Sequence, residues 1–211
     1  AMSRLTFRIL DVIYALGLGL LLSPLILVVA LILLLREGPP VFYGSERMRD
    51  PGRSFTLWKF RTMQPKERDG GVTGGDKAAR ITSTGKWLRR TRLDELPQIW
   101  NILRGDVGFV GPRPPLRRYV EMFPDLYDKV LAERPGVTGL ASQAFHAHEE
   151  RLLSGASTPE HTEDIYCRRC IPRKARLDLI YVKSRTPCSD MRLMFATVFG
   201  RVTMHDRKGR Q

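Results

Sequence analysis

From Val12 to Leu35 the chain carries no charged residue and consists almost wholly of Leu, Ile, Val and Ala. About 20 such residues in helical form span the hydrocarbon core of a bilayer, and this run is longer. The rest of the chain must therefore fold beside a membrane. The run is too long for a signal-peptide core and no A-x-A site ends it, which argues against cleavage. Ser23-Pro24 stands at its midpoint. A proline there removes one helix hydrogen bond and crowds the carbonyl four residues earlier, so it kinks or breaks the helix. The serine hydroxyl can satisfy the freed carbonyl in hydrocarbon. Arg4 and Arg8 precede the run, and Arg36, Arg47, Arg49 and Arg53 follow it. Positive charge on both flanks gives no clear bias for a crossing. Two readings stay open, an ordinary kinked span and a hairpin that returns to its starting side, with the flanks favouring the hairpin.

Residues 1–38 are expected to form this membrane segment and 39–211 one modest domain. The expected class is α/β, mainly helical with few short strands, with interfacial amphipathic helices. Glu37-Gly38-Pro39-Pro40 makes a stiff exit from the membrane. Val41–Tyr43 and Phe55–Phe60 read as strands around the turn Arg49–Arg53. Lys66–Lys77, rich in glycine and charge, reads as a surface loop able to act as a lid. Leu116–Ala132 has apolar residues at helical spacing, interrupted by Pro124. Met191, Met194, Phe195, Val198 and Phe199 form a stripe that suits either core packing or the bilayer interface, flanked by Arg192 and Arg201.

Three cysteines do not make a disulfide framework. Cys167-x-x-Cys170 lacks the second pair a zinc site requires, and Cys188 is isolated, so all three read as reduced, non-functional thiols. His146 and His148 alternate as on one face of a strand or extended loop, and read as structural or solvated.

Lys and Arg number 35 against 22 acids, a formal net charge of +13. Such a surface seeks phosphorylated substrates, acidic lipid or nucleic acid. Against that background the adjacent carboxylates Asp94 and Glu95 stand out, set between arginines and Pro97. Proline favours the first position of a helix, and Leu96, Ile99, Trp100 and Leu103 recur at helical spacing. The pair thus lies just before a helix N-terminus, where the dipole favours negative charge and free N–H groups can hold a phosphate. A capping role explains one acid and leaves the second without a task.

The surrounding motifs come in a fixed order: K-F-R-T-M at 59–63, R-x-T-x-x-G-x-x-L-R at 80–89, D-E-L-P-Q-x-x-N-x-L-x-G-D at 94–106, V-G-P-R-P at 110–114 and R-P-G-V-T-G at 134–139. This order resembles the bacterial sugar transferase family, the monotopic phosphoglycosyl transferases, over nearly the whole chain. The resemblance implies a re-entrant membrane helix broken at the Ser-Pro pair, and a catalytic domain on the cytoplasmic face of the bacterial inner membrane. It implies a UDP-sugar donor, a polyprenol phosphate acceptor such as undecaprenyl phosphate, and Mg²⁺. Asp94 matches the family's nucleophile and Glu95 its magnesium ligand. Arg113 matches the phosphate-binding arginine of V-G-P-R-P, and Lys59 and Arg89 match basic residues of the same site. Asp178 matches a carboxylate near the catalytic pair. The expected enzyme is a small member without the extra membrane helices of larger relatives.

One stretch departs from the pattern. After Thr138-Gly139, many members continue with L-A-Q-V-x-G-R-N, where this chain reads Leu140-Ala141-Ser142-Gln143-Ala144-Phe145-His146. Recognition of the sugar or base is therefore open. Two other classes fit the composition: a non-enzymatic basic module on acidic lipid, with about 1 kcal/mol from each Lys or Arg near the surface, and a nucleic-acid binder. The latter rests on charge alone, with no helix-turn-helix, zinc finger or RNP signature, so no nucleic-acid partner is expected. Magnesium-dependent release of UMP separates the enzyme from both.

Overall fold

The computed structural model describes residues 4–64, 80–156 and 158–199. The loop expected at Lys66–Lys77 lies outside them, as do the side chains of Val198 and Phe199 and all of Arg201. The described chain is mostly helical with few short strands.

Helix α1 (Arg4–Glu37) takes in the whole apolar run and continues through Pro24. Pro24 lacks the N–H that would bond the Leu20 carbonyl. The Ser23 hydroxyl donates to that same carbonyl at 2.8 Å, so the helix continues without an orphaned acceptor. In its most apolar window only 11% of residues are buried, which separates α1 from the core helix of a globular domain. Leu20, Leu21, Leu27 and Leu35 all face outward.

Both halves of α1 nevertheless pack on the same body. Ala15, fully buried, joins Ile102 and Val107. Val29 and Leu33 join Phe60 and Leu88. At the N-terminal end Arg4 pairs with Glu133 at 2.7 Å. At the other end Arg61 donates to the carbonyls of Glu37 at 2.9 Å and Gly38 at 2.7 Å. Burying Phe60 and Leu88 contributes about 1.5–3 kcal/mol each.

Strands β1 (Phe42–Asp50) and β2 (Arg53–Phe60) form an antiparallel hairpin that pairs Phe42 with Phe60 and Tyr43 with Lys59. Its turn is closed by the Gly52 amide donating to Asp50 Oδ1 at 3.2 Å. β1 runs further than Val41–Tyr43 because pairing with β2 satisfies the backbone of Gly44–Arg49, a stretch with no apolar alternation to announce it.

The motif spacing at 80–89 becomes physical in helix α2 (Ser83–Thr91). Thr82 caps it, accepting from the Gly85 amide at 2.9 Å. A Cβ on Gly85 would lie 2.1 Å from the Thr62 carbonyl oxygen, so only glycine lets α2 approach the end of the hairpin. Leu88 is fully buried. Helix α3 (Gln98–Arg104) follows and ends at Gly105, whose φ of +85° suits a left-handed helix cap.

Strands β3 (Gly108–Val110) and β4 (Gly136–Thr138) pair in parallel, joined by helices α4 (Arg117–Met122) and α5 (Pro124–Val130), with Pro124 opening α5. A Cβ on Gly136 would sit 2.1 Å from the Gly111 nitrogen, which ties the V-G-P-R-P and R-P-G-V-T-G segments into one tight crossing. Around it lie α6 (Leu140–Ala144), α7 (His146–Ser154), α8 (Pro159–Ile165), a π-turn at Tyr166–Cys170, α9 (Ile171–Ser184) and α10 (Pro187–Phe199). On α10 Leu193 and Ala196 are buried, while Met191 and Phe195 of the expected stripe are exposed and Met194 packs against the Val110–Leu140–Tyr181–Leu193 cluster.

Asn101 on α3 clamps this layer. Its side chain accepts from the Trp58 amide at 3.0 Å and donates to the Thr56 carbonyl at 2.8 Å and to Asp106 Oδ2 at 3.1 Å. Asn101→Ala leaves buried strand groups unpaired and is expected to cost about 1–3 kcal/mol. Thermal unfolding in detergent checks this, and the exposed change Glu121→Ala is expected to shift the melting temperature far less.

Candidate active site

Arg92 ends α2 in the left-handed region at φ 57° and turns the chain into a single 3-10 turn, Leu93–Glu95. Leu93 and Leu96 pack against the Val29–Leu33–Phe60–Leu88 cluster. The two carboxyls between them meet Lys59, the penultimate residue of β2. Lys59 Nζ lies 2.9 Å from Glu95 Oε1 and 4.0 Å from Asp94 Oδ2. Arg113 reaches the same Glu95 oxygen at 3.4 Å. Arg89 donates to Thr62 Oγ1 at 2.8 Å, and its charge also acts on Asp94.

This asymmetry gives the two acids different proton affinities. Burial alone would raise the Glu95 carboxyl, but Lys59 and Arg113 override it and hold the group at about 2. Burial pushes the Asp94 carboxyl above its usual range; Lys59 pulls it back and the Glu95 charge pushes it up again. Adjacent titratable groups driven apart in this way are a sign of divided roles. Burial also depresses the Lys59 ammonium, against the pull of Glu95.

The site does not use an open helix N-terminus. The amides of Glu95, Leu96, Ile99 and Trp100 already donate to Arg92, Leu93, Leu96 and Pro97. Two successive tight turns thus occupy these four of the N–H groups at the start of α3. The site's positive charge is carried by side chains, and Arg47 lies close enough to Arg113 to feel its charge. It is held below its usual proton affinity first by burial and then by the charge of Arg113. Sequence reasoning missed Arg47, since nothing in β1 marks its orientation. It also passed over Arg61 and Thr62, although both stand inside K-F-R-T-M.

The structure thus brings together Asp94, Glu95, Lys59 and Arg113, with Arg89 close by. Asp178 stands apart, with no hydrogen bond or ion pair to that group among the described residues. It is buried on α9, accepts from the Ala141 amide, and lies behind the Gly111–Gly139 crossing, 3.7 Å from where a Cβ of Gly139 would be.

His146 and His148 lie on helix α7 and not on a strand. His146 faces Glu150 one turn on, and His148 contacts Arg173. Cys167 and Cys170 are buried free thiols and Cys188 is exposed. Among the described residues no group of three or more His, Cys, Asp or Glu side chains could hold a metal ion.

Residues 2–204 match the family model described as bacterial sugar transferase. The chain belongs to that family. The UDP-glucose:undecaprenyl-phosphate glucose-1-phosphate transferase of Escherichia coli (strain K12) is 32% identical over 201 residues, covering 93% of this chain and 40% of that protein. The UDP-N-acetylgalactosamine-undecaprenyl-phosphate N-acetylgalactosaminephosphotransferase of Aeromonas hydrophila is 32% identical over 184 residues, 84% of this chain and 39% of that protein. This sugar transferase chain therefore spans about 40% of the length of those two relatives. A putative undecaprenyl-phosphate N-acetylgalactosaminyl 1-phosphate transferase of Bacillus subtilis is 38% identical over 147 residues, 69% of this chain and 75% of that protein.

Burial raises Asp178 to about 7 from an ordinary 3.8. The fold then retains a proton that the unfolded chain releases, so its stabilising effect is full below about pH 4 and is lost as pH rises through about 7. Above pH 7 Asp178→Asn is expected to be more stable than the parent, by on the order of 4 kcal/mol, and so to unfold at higher temperature. Near pH 4 the two should coincide. Melting curves of both proteins across pH 4–8 check it.

Proposed function

We propose that the chain transfers a sugar phosphate from a UDP-sugar to a polyprenol phosphate such as undecaprenyl phosphate, through a covalent intermediate on Asp94. The observation that carries this reading is the divided acid pair: one carboxylate locked by Lys59 and Arg113, the other buried with a weaker contact. In the first step an Asp94 carboxylate oxygen bonds to the phosphorus bearing the sugar, and the bond from that phosphorus to the UMP oxygen breaks. UMP leaves with the electron pair. In the second step an oxygen of the polyprenol phosphate attacks the same phosphorus, the acyl phosphate bond breaks, and Asp94 returns as a carboxylate. Splitting one transfer into two in this way is the general advantage of covalent catalysis.

Lys59, Arg89, Arg113 and Arg47 offset the charge of the diphosphate, with guanidinium forks suited to phosphoryl oxygens. Mg²⁺ suits the donor set, because Glu95 Oε1 is engaged by Lys59 and Arg113 while hard carboxylate oxygens of the pair remain for a cation shared with substrate phosphates. When bound, it supplies further positive charge against the diphosphate. Glu95, kept ionised by Lys59 and Arg113, would be its ligand.

The membrane reading has its own support. Both ends of α1 pack on the one domain, as a helix that enters and leaves on the same side must. Leu20, Leu21 and Leu27 of α1, Trp87 of α2 and Trp100 of α3 are all exposed. Tryptophan favours the membrane–water interface. We place α1 as a re-entrant element, with residues 39–211 on the cytoplasmic face of the inner membrane. The names of the relatives specify different sugars, so the sugar is left open.

With acceptor withheld, wild type and a UDP-sugar are expected to release UMP and gain one sugar phosphate on Asp94, read by intact-protein mass spectrometry and peptide mapping. Asp94→Asn should show neither adduct nor transfer. Glu95→Gln should need far more Mg²⁺ and turn over slowly. UMP appearing only when both substrates are bound, with no adduct, would make Asp94 a base or ligand in a direct transfer.

For topology, single cysteines replace the exposed Leu5 and Arg53 in a background lacking Cys167, Cys170 and Cys188. Both positions are expected to resist an impermeant thiol reagent in intact cells and to react after lysis. Labelling of position 5 from outside, with position 53 protected, would make α1 a crossing helix.

A further inference from the structure

A second basic site lies at the N-terminal foot of α1. It is a cavity of about 260 Å³ whose walls carry Arg4, Arg8, Arg49, Arg134 and Arg185 together with Phe7. Neither the acid pair nor Lys59 nor Arg113 lines it. Three of the arginines are committed to the fold. Arg8 donates to the Leu103 carbonyl at 2.8 Å and to that of Ile102, capping α3. Arg4 pairs with Glu133 at 2.7 Å, and Arg185 pairs with Asp190 at 2.6 Å while stacking over Phe7.

Arg134 is differently placed. Its Nε is buried without a hydrogen-bond partner among the described residues. Burial and then the charges of Arg8 and Arg49 push its guanidinium below its usual value, with only Asp11 among its nearest charges pulling back. Yet Asp11 Oδ1 already accepts from the Phe109 amide at 3.2 Å, and Glu133 is taken by Arg4. Five arginines face three acids, Asp11, Asp50 and Glu133, around this space. A buried donor left open among like charges is costly unless an anion completes it.

The location narrows the kind of anion. Arg4, Phe7, Arg8 and Asp11 form the turns directly before the uncharged run, and Leu5 and Ile9 on those turns are 67% and 50% exposed. If α1 lies in a bilayer, these turns sit at headgroup depth, where basic groups meet lipid phosphates.

We propose that this cavity binds a phosphate group, held by Arg49 and Arg134 and presented either by the headgroup of an anionic phospholipid or by a soluble phosphate ester. Guanidinium forks match phosphate oxygens in bidentate geometry. The site stands independently of the transferase reaction, and only the lipid source rests on the membrane reading.

The test uses the full chain in detergent micelles, with dihexanoyl phosphatidylglycerol, dihexanoyl phosphatidylcholine, glycerol 3-phosphate and inorganic phosphate as probes. Thermal shift and titration calorimetry read binding, since a ligand of the folded state raises the melting temperature by mass action. Saturable binding of phosphatidylglycerol well above phosphatidylcholine and the soluble phosphates supports the site and assigns it to lipid. Comparable binding of glycerol 3-phosphate or inorganic phosphate supports it and assigns it to a soluble ligand. In either case Arg49→Gln and Arg134→Gln should each weaken binding about tenfold. Arg151→Gln, which removes an exposed charge on α7, should not. The two positions lie on different segments, and circular dichroism confirms that each variant is folded. Absence of saturable binding, insensitivity to both cavity variants, or equal weakening by Arg151→Gln overturns the proposal.

Discussion

The catalytic layer depends on Val29 and Leu33 of α1 fitting against Phe60, Leu88, Leu93 and Leu96. Each of these last four residues adjoins a polar group of the site. Phe60 follows Lys59, Leu88 precedes Arg89, and Leu93 and Leu96 bracket the acid pair. Anchoring the apolar member of each neighbouring set orients the polar one. α1 is thus the floor of the site. α2 in turn is held against the end of the hairpin by the close approach of Gly85 to Thr62.

Charge is arranged on that floor with a consistent logic. A net charge of +13 is dispersed over the chain, but around the acid pair it is focused by burial. Glu95 is neutralised by two cations, and those cations are in turn partly spent on it. A diphosphate entering the site would find Arg89 and Arg47 less committed than Lys59. Bringing such like charges together costs free energy in the empty protein, which a polyanion can offset on arrival.

Much of this was legible in the sequence because the motifs are local and each motif residue has a structural task. Thr82 caps, Gly85 and Gly136 permit close approach, Leu88 fills the core, and Asn101 joins helix to strand. The acid pair, Lys59 and Arg113 are assigned to one site through the family resemblance that their motifs carry, and the structure brings the four together. Other features were hidden for physical reasons. β1 is extended by pairing, not by its own side-chain pattern. The short β3–β4 pair is parallel and joins segments more than twenty residues apart, so no local signal announces it. Asp178 sits in an apolar helical stretch that gives no hint of whether its carboxyl faces the acid pair or the interior. Pro24 suggests a stop, yet the hydroxyl of Ser23 supplies the bond that lets the helix continue.

The contact of both halves of α1 with one domain has a further consequence. A flexible tether would let the domain swing and sample many heights above the bilayer. A helix fastened near both ends, by Arg4 to Glu133 and by Arg61 to Glu37 and Gly38, fixes height and tilt together. On the membrane placement and lipid acceptor proposed above, the acceptor would reach the acid pair by lateral diffusion. The encounter then becomes a search in a plane, governed by the number of acceptor molecules per unit of membrane area.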